Sequence, residues 1–373
     1  MKFKNSRTAL SRVSVAVGNL LCTLRSDLSS FRPKAQGSPE RLASSDIPAS
    51  EERPVIFASY ATGPDLNGSH RYCGGEKLLN NLVLLLRRQG YEAFMVSIDG
   101  KNAGWLTEHA PFLSLGEFRN RLAGNGPVRC VTSWPTADAF LTHCPKFYFW
   151  DQELAASARG QFPVLAHLMR NGRIVRTAGV NRAVQAFHHA VFERQTVLLR
   201  QLVDEKYWQP NEPRRIKNRV GYFDEGGHTS EFIRVVRDQT AAQGHRLEFV
   251  ELRGDEPQII EQMQQCAVFL ALNTGKSPLW GEGGPMSPQE AMACGTVPVC
   301  FDINGPWELI QQNYNGVILN EFTPAALSEA VQEIFRVPER LEEMSQRCLK
   351  MTRASHTMEA RWPAVRRFLD LPE

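Results

Sequence analysis

The chain has 373 residues, of which 42 % are apolar and 22 % charged. That length and mix exclude collagen-like, coiled-coil and wholly disordered chains, and they predict two domains of roughly 150–200 residues. The formal net charge is +3, but residues 1–50 alone hold eight basic and three acidic side chains. The rest of the chain is nearly neutral, which argues against a general nucleic-acid binder. No apolar run approaches the roughly 18–20 residues of a membrane span. The eight cysteines include no C-x-x-C pair, so a zinc ribbon or thioredoxin-like site has no support and reduced thiols of a cytoplasmic protein are expected. Gly18 and Asn19 interrupt the one weak apolar run near the start, and no secretory signal is read there.

Residues 1–52 read as a basic, serine-rich extension. Within it Leu10, Val13, Val17, Leu20, Leu21, Leu24 and Leu28 recur at helical spacing beside Lys2, Lys4, Arg7, Arg12 and Arg25. Three readings stand for residues 1–30: a helix lying on an anionic membrane surface, a helix packed on the protein itself, and a tail. Folded sequence starts near Pro54. A buried strand at residues 55–58 is followed by a polar loop ending in Cys73-Gly74-Gly75, a leucine-rich helix that stops at Gly90, and a strand at residues 93–98. This βαβ pattern implies a parallel sheet. Short strands are expected at residues 128–132 and 147–150. Pro210, Pro213 and a polar run mark a boundary near residues 204–218.

The second half alternates more regularly. Strands are expected at residues 219–223, 247–252, 267–272, 297–301 and 317–319. Helices are expected at residues 230–243, 257–265, 288–293, 306–312 and 324–335, with further helices over 338–370. Such alternation predicts a doubly wound α/β domain.

Residues 273–308 read NTGKSPLWGEGGPMSPQEAMACGTVPVCFDINGPWE. A glycine-rich loop leaves the carboxyl end of a strand and enters a helix, the edge where doubly wound sheets bind ligands. Lightly covered amides at Gly283, Gly284, Met286 and Ser287, backed by a helix N-terminus, suit a phosphate or diphosphate. Two acids frame the loop. Glu282 sits where it can face a polyhydroxylated group. Glu290 has two readings: acceptor of paired ribose hydroxyls, or third residue of a capping box with Ser287 as N-cap and Pro288 at the first helical position.

The segment resembles the donor-binding signature of the retaining family-four (group 1) glycosyltransferases, which have the GT-B fold. Glu282 and Glu290 have seven residues between them in it, followed by Ala291-Met292-Ala293-Cys294-Gly295, Pro298-Val299, Asn304-Gly305-Pro306-Trp307-Glu308 and Asn315-Gly316. Gly74-Gly75-Glu76-Lys77 resembles the family's first glycine loop, and Val203-Asp204 through Trp208-Gln209-Pro210 its interdomain passage. Thr132-Ser133-Trp134-Pro135-Thr136 and residues 148–153 resemble polysaccharide-assembly members. The resemblance implies two Rossmann-like domains facing a cleft. It assigns residues 53–205 to an acceptor domain, 206–350 to a nucleotide-sugar domain and 351–373 to a closing helical segment. It implies that Glu290 binds the nucleotide ribose, that Glu282 contacts the transferring sugar, and that amides near Pro285, Met286 and Ser287 hold sugar and diphosphate. Gly74 and Gly75 would approach the diphosphate from the other domain. The implied reaction transfers a sugar with retention to a glycan or lipid-linked acceptor, needs no metal or cofactor, and takes place in surface polysaccharide assembly at the inner face of the membrane.

One departure stands out. The family places an Arg and then a Lys after the first strand of the second domain, whereas this chain has Gly221-Tyr222-Phe223-Asp224-Glu225-Gly226-Gly227-His228. Leaving-group charge needs a counterion. Lys276, or Arg214, Arg215, Lys217 and Arg219, are the candidate substitutes, unless all are solvated surface charges. His228 is either a polar contact or the start of a helix. His143, His188 and His189 are candidates for the histidine that many members place near the reacting sugar. The missing cations motivate a rival reading, a GT-B binding protein without catalysis. A second rival is a nucleotide-sugar epimerase.

Overall fold

The computed structural model describes residues 53–59, 74–102, 104–123, 126–133, 139–152, 162–224, 229–272, 285–303 and 305–372. The basic extension, the predicted site residues Lys276, Glu282, Gly283 and Gly284, and His228 lie outside them.

Alternating buried strands and amphipathic helices build two parallel sheets. The first contains β1 (Val55–Ser59), β2 (Ala93–Ser97), β3 (Phe112–Ser114), β4 (Val128–Thr132), β5 (Phe147–Asp151), β6 (Ile174–Gly179) and β7 (Thr196–Leu198), in the order β3-β2-β1-β4-β5-β6-β7. Its helices are α1 (Gly74–Arg88), α2 (Leu115–Leu122), α3 (Phe162–Arg170) and α4 (Arg182–Phe192). β1 and β5 read as short continuous apolar runs because both faces of the sheet are covered. One face packs Leu79, Leu82, Leu86 and Trp150; the other packs Phe57, Phe118, Phe140 and Phe147.

The second sheet contains β8 (Ile216–Tyr222), β9 (Glu248–Glu251), β10 (Cys266–Ala271), β11 (Val297–Phe301) and β12 (Val317–Leu319), in the order β12-β11-β10-β8-β9. Around it lie α5 (Thr229–Ala242), α6 (Glu256–Gln264), α7 (Met286–Ala293), α8 (Pro324–Arg336) and α9 (Pro338–Ser355). The order steps outward from β10 and β8 in both directions, so the switch point lies where β10 ends and the predicted donor loop begins.

The last helix, α10 (Met358–Leu369), does not extend the second lobe. Met358, Val365, Phe368 and Leu369 join the core of the first sheet with α1. The chain therefore crosses between the lobes twice, and the crossings lie side by side: Val203 N–H donates to His356 O at 3.2 Å, and Met358 N–H donates to Val203 O at 3.0 Å.

The expected helix over residues 306–312 is only a 3-10 turn, Gly305–Glu308. The cause is Asn315, buried at 0 % exposure. Its amide donates to Leu309 O at 3.0 Å, and its oxygen accepts from Gln311 N–H at 2.7 Å. These are backbone groups that a continuing helix would have to pair for itself.

Candidate functional site

Helix α7 begins two residues earlier than the capping pattern predicts. Pro285 occupies the N-cap position, with φ −62° and ψ 131° and no side-chain cap bond. Ser287 and Glu290 therefore form no capping box, and the capping reading of Glu290 is corrected. The reason is tertiary: the Glu290 carboxylate turns away from its own backbone and accepts from the ammonium of Lys77 in the other lobe. At the far end Gly295 takes φ +74°, a left-handed stop that a side chain would strain.

Gly74 and Gly75 are the first residues of α1. A Cβ on Gly74 would lie 3.6 Å from Met286 Sδ, so the first glycine position meets α7 across the cleft. The structure thus brings together Gly74, Met286 and Glu290, with Pro285 and Ser287 beside them.

Lys77 lies in the first turn of α1, and two carboxylates of the second lobe receive its ammonium: Glu290 on α7 and Glu256, the first residue of α6. The three residues are 5 %, 6 % and 7 % exposed respectively. The Trp208 ring, on the passage between the lobes, stacks 4.5 Å from the ammonium. Glu256 is held from several sides. Its carboxylate accepts from Trp208 Nε1 at 3.1 Å and from Thr107 N–H at 2.7 Å, and its own N–H donates to Trp105 O at 2.9 Å. Glu290 has no side-chain partner other than Lys77 among the described residues.

The electrostatics separate the two acids. Burial raises the Glu290 carboxyl above the ordinary range, and Lys77 only partly offsets it. Burial pushes Glu256 the same way, but Lys77, Thr107 and Trp208 outweigh it and hold that carboxyl low. Burial alone would lower the Lys77 ammonium; its two acids more than reverse this and raise it. Glu256 is thus a fixed anion, and Glu290 an acid whose charge depends on one lysine.

The basic residues around β8 lie before it or within its first four positions, away from its carboxyl end. Arg215 donates to Gly295 O at 2.9 Å and to Cys266 O at 3.2 Å, and also to Cys294 O, capping the back of α7. Arg214 pairs with Glu261 and Arg219 with Glu248; Lys217 is exposed. Sequence reasoning passed over Lys77. The available signal was its place two residues after the glycine pair, on the end of α1 that faces the cleft.

The histidines also sort. His143 is half-buried and accepts from Arg119 Nε at 2.8 Å, and His189 is exposed. His188 is sealed in the first lobe, where its Nε2 lies 2.7 Å from Asp151 Oδ2 with both side chains at 0 % exposure. Its Nδ1 has no hydrogen-bond partner among the described residues. Elsewhere Arg200 reaches Glu308 at 2.6 Å, tying the passage between the lobes to the turn after β11. Among the described residues no cluster of three His, Cys, Asp or Glu side chains is placed to hold a metal. No described helix is long and apolar enough to cross a membrane.

Two parallel α/β lobes and a closing helix returned to the first lobe define a GT-B architecture. Solved structures agree in fold. Anabaena HepE, in a complex with UDP and glucose, aligns with TM-score 0.64 at 12 % identity, covering 85 % of this chain and 100 % of that one. Sucrose-phosphate synthase from Thermosynechococcus elongatus aligns with TM-score 0.62 at 15 % identity, covering 85 % and 97 %. A glycosyltransferase from Rickettsia africae aligns with TM-score 0.58 at 11 % identity, covering 85 % and 99 %. No curated protein sequence matches the chain. Residues 239–351, a segment of the second lobe that spans α7, match the family model described as glycosyl transferases group 1.

Proposed function

We propose that the protein moves a sugar, with retention of anomeric configuration and without a metal or cofactor, from a nucleoside-diphosphate sugar to a glycan or lipid-linked acceptor. The proposed setting is surface polysaccharide assembly on the cytoplasmic side of a membrane. The observation that carries the donor reading is Glu290. It is the second acid of the donor signature, is buried beside the switch point, serves no helix cap, and has its charge set across the cleft. There its two carboxylate oxygens suit the paired hydroxyls of a ribose. The amides near Pro285, Met286 and Ser287, at the start of α7, face developing negative charge with the helix dipole behind them. Gly74 and Gly75 let the other lobe come close, and Glu282 and Lys276 are assigned to the sugar and diphosphate. In this reading the protein works by position and charge stabilisation and forms no covalent intermediate. Two supports come from outside the chain: the family match spans α7, and HepE structures hold UDP and UDP-glucose.

Calorimetric titration with UDP, GDP, dTDP and CMP, with and without magnesium, tests this. Micromolar binding of one nucleotide, unchanged by magnesium and lost in Glu290→Gln, is expected. Failure of all four to bind would sink the reading. The absence of a cation directly after β8 favours one rival, a non-catalytic binding protein. It would show nucleotide binding with no sugar transfer to any acceptor, and measured transfer removes it.

A further inference from the structure

Glu290 faces two charged groups among the described residues, Lys77 from α1 and Glu256 from α6, and the Cys294 thiol lies one turn further along its own helix. Glu256 is already committed to the Thr107 amide and the Trp208 indole as well as to the lysine. Lys77 is therefore anchored whether or not Glu290 is engaged elsewhere. Glu290 is not: apart from Lys77 no described side chain stabilises its charge, and burial opposes it. A buried carboxylate without a counterion takes up a proton. A protonated carboxyl can no longer accept from two vicinal hydroxyls with both oxygens.

We propose that Lys77 is a positioning residue for the donor, acting through Glu290. Its ammonium, held on Glu256 and the Trp208 face, crosses the cleft to keep Glu290 an aimed, ionised carboxylate. The proposal rests on the donor-site reading above and deepens it. It makes donor binding depend on approach of the two lobes, because the charge of the ribose ligand in one lobe is set by a lysine in the other. The lysine is on the first turn of α1, whose first residue, Gly74, lies beside Met286 at the start of α7, and this brings the side chain within reach of Glu290.

The test is UDP and GDP titration, by calorimetry, of wild type, Lys77→Met, Lys77→Arg and Glu290→Gln between about pH 6 and about pH 8.5. Wild type should bind nearly independently of pH. Lys77→Met should bind weakly at the acid end and gain about tenfold per pH unit as Glu290 ionises, while Lys77→Arg should restore most of the affinity and the flat profile. A role in folding alone would lower the melting temperature of Lys77→Met without giving affinity this slope. Because that variant leaves two buried acids together, the double variant Lys77→Met, Glu256→Gln is run beside it, and the same slope is expected. A flat profile of wild-type affinity in the Lys77→Met variants, with Glu290→Gln still abolishing binding, overturns the proposal and leaves the donor site standing. Wild-type affinity in Glu290→Gln overturns the donor site itself.

Discussion

Two buried polar clusters lie at the heart of this molecule, and they are built differently. His188 and Asp151 come from α4 and β5 of one lobe, both fully buried, with Phe149, Phe187 and Phe192 around the imidazole. Lys77, Glu256 and Glu290 come from α1, α6 and α7 of two lobes, with Trp208 from the passage between them. The first has every reason to be structural, since no substrate reaches it without opening the core. The second exists only while the lobes face each other. A buried charge inside one lobe fixes that lobe; a buried charge shared between lobes couples their approach to the chemistry of the cleft.

The largest expected effect breaks the shared cluster. Lys77→Met leaves uncompensated acids and should cost about 3–5 kcal/mol of stability, read as a lowered urea midpoint. Asp151→Ala should cost about 1.5–3 kcal/mol by removing a charged partner from a buried hydrogen bond, yet leave nucleotide affinity unchanged by calorimetry. Loss of affinity there would erase the distinction between the clusters.

A third cluster sharpens the contrast. His356, at the second crossing, accepts from Arg361 Nη2 at 2.8 Å, the ring nitrogen being the acceptor in the neutral form. Burial first, then Arg361 and Arg200, lower its pKa from 6.5 to about 3. The unfolded histidine gains a proton below its ordinary pKa while the folded one does not. Its stability contribution is therefore complete above pH 6.5 and is lost as pH falls toward about 3. The loss should be about 1.4 kcal/mol per pH unit in urea titrations, and His356→Asn should remove that slope. The smallest effect belongs to a surface pair. Glu343→Ala breaks the exposed Arg347–Glu343 contact of 2.8 Å and should shift stability by less than about 0.5 kcal/mol.

Much of the carboxyl-terminal lobe was legible from sequence. β10, α7, β11 and α8 are marked by apolar runs that end at glycine or start at proline, signals that act within a few residues. The 3-10 turn at Gly305–Glu308 was not legible, because Asn315 intercepts the helix from seven residues downstream of Glu308. β3, β6 and β7 were missed because Phe112–Ser114 and Thr196–Leu198 are too short for periodicity to register, and Ile174–Gly179 carries Arg176 and Thr177 within it.

The sequence by itself determined the alternation of strand and helix, the glycine stops, the donor signature around Glu290 and the absence of a cation after β8, since each is written in neighbouring residues. Only the tertiary structure decided what Glu290 touches, that Arg215 is spent on the back of α7, that His188 is sealed in the core, and that Lys77 stands between two acids of the other lobe. Lys77 and Glu290 are 213 positions apart. A local pattern specifies an element and the face it buries; it does not specify which element of another lobe meets that face, and at this site that meeting sets the charge of the acid proposed to hold the donor.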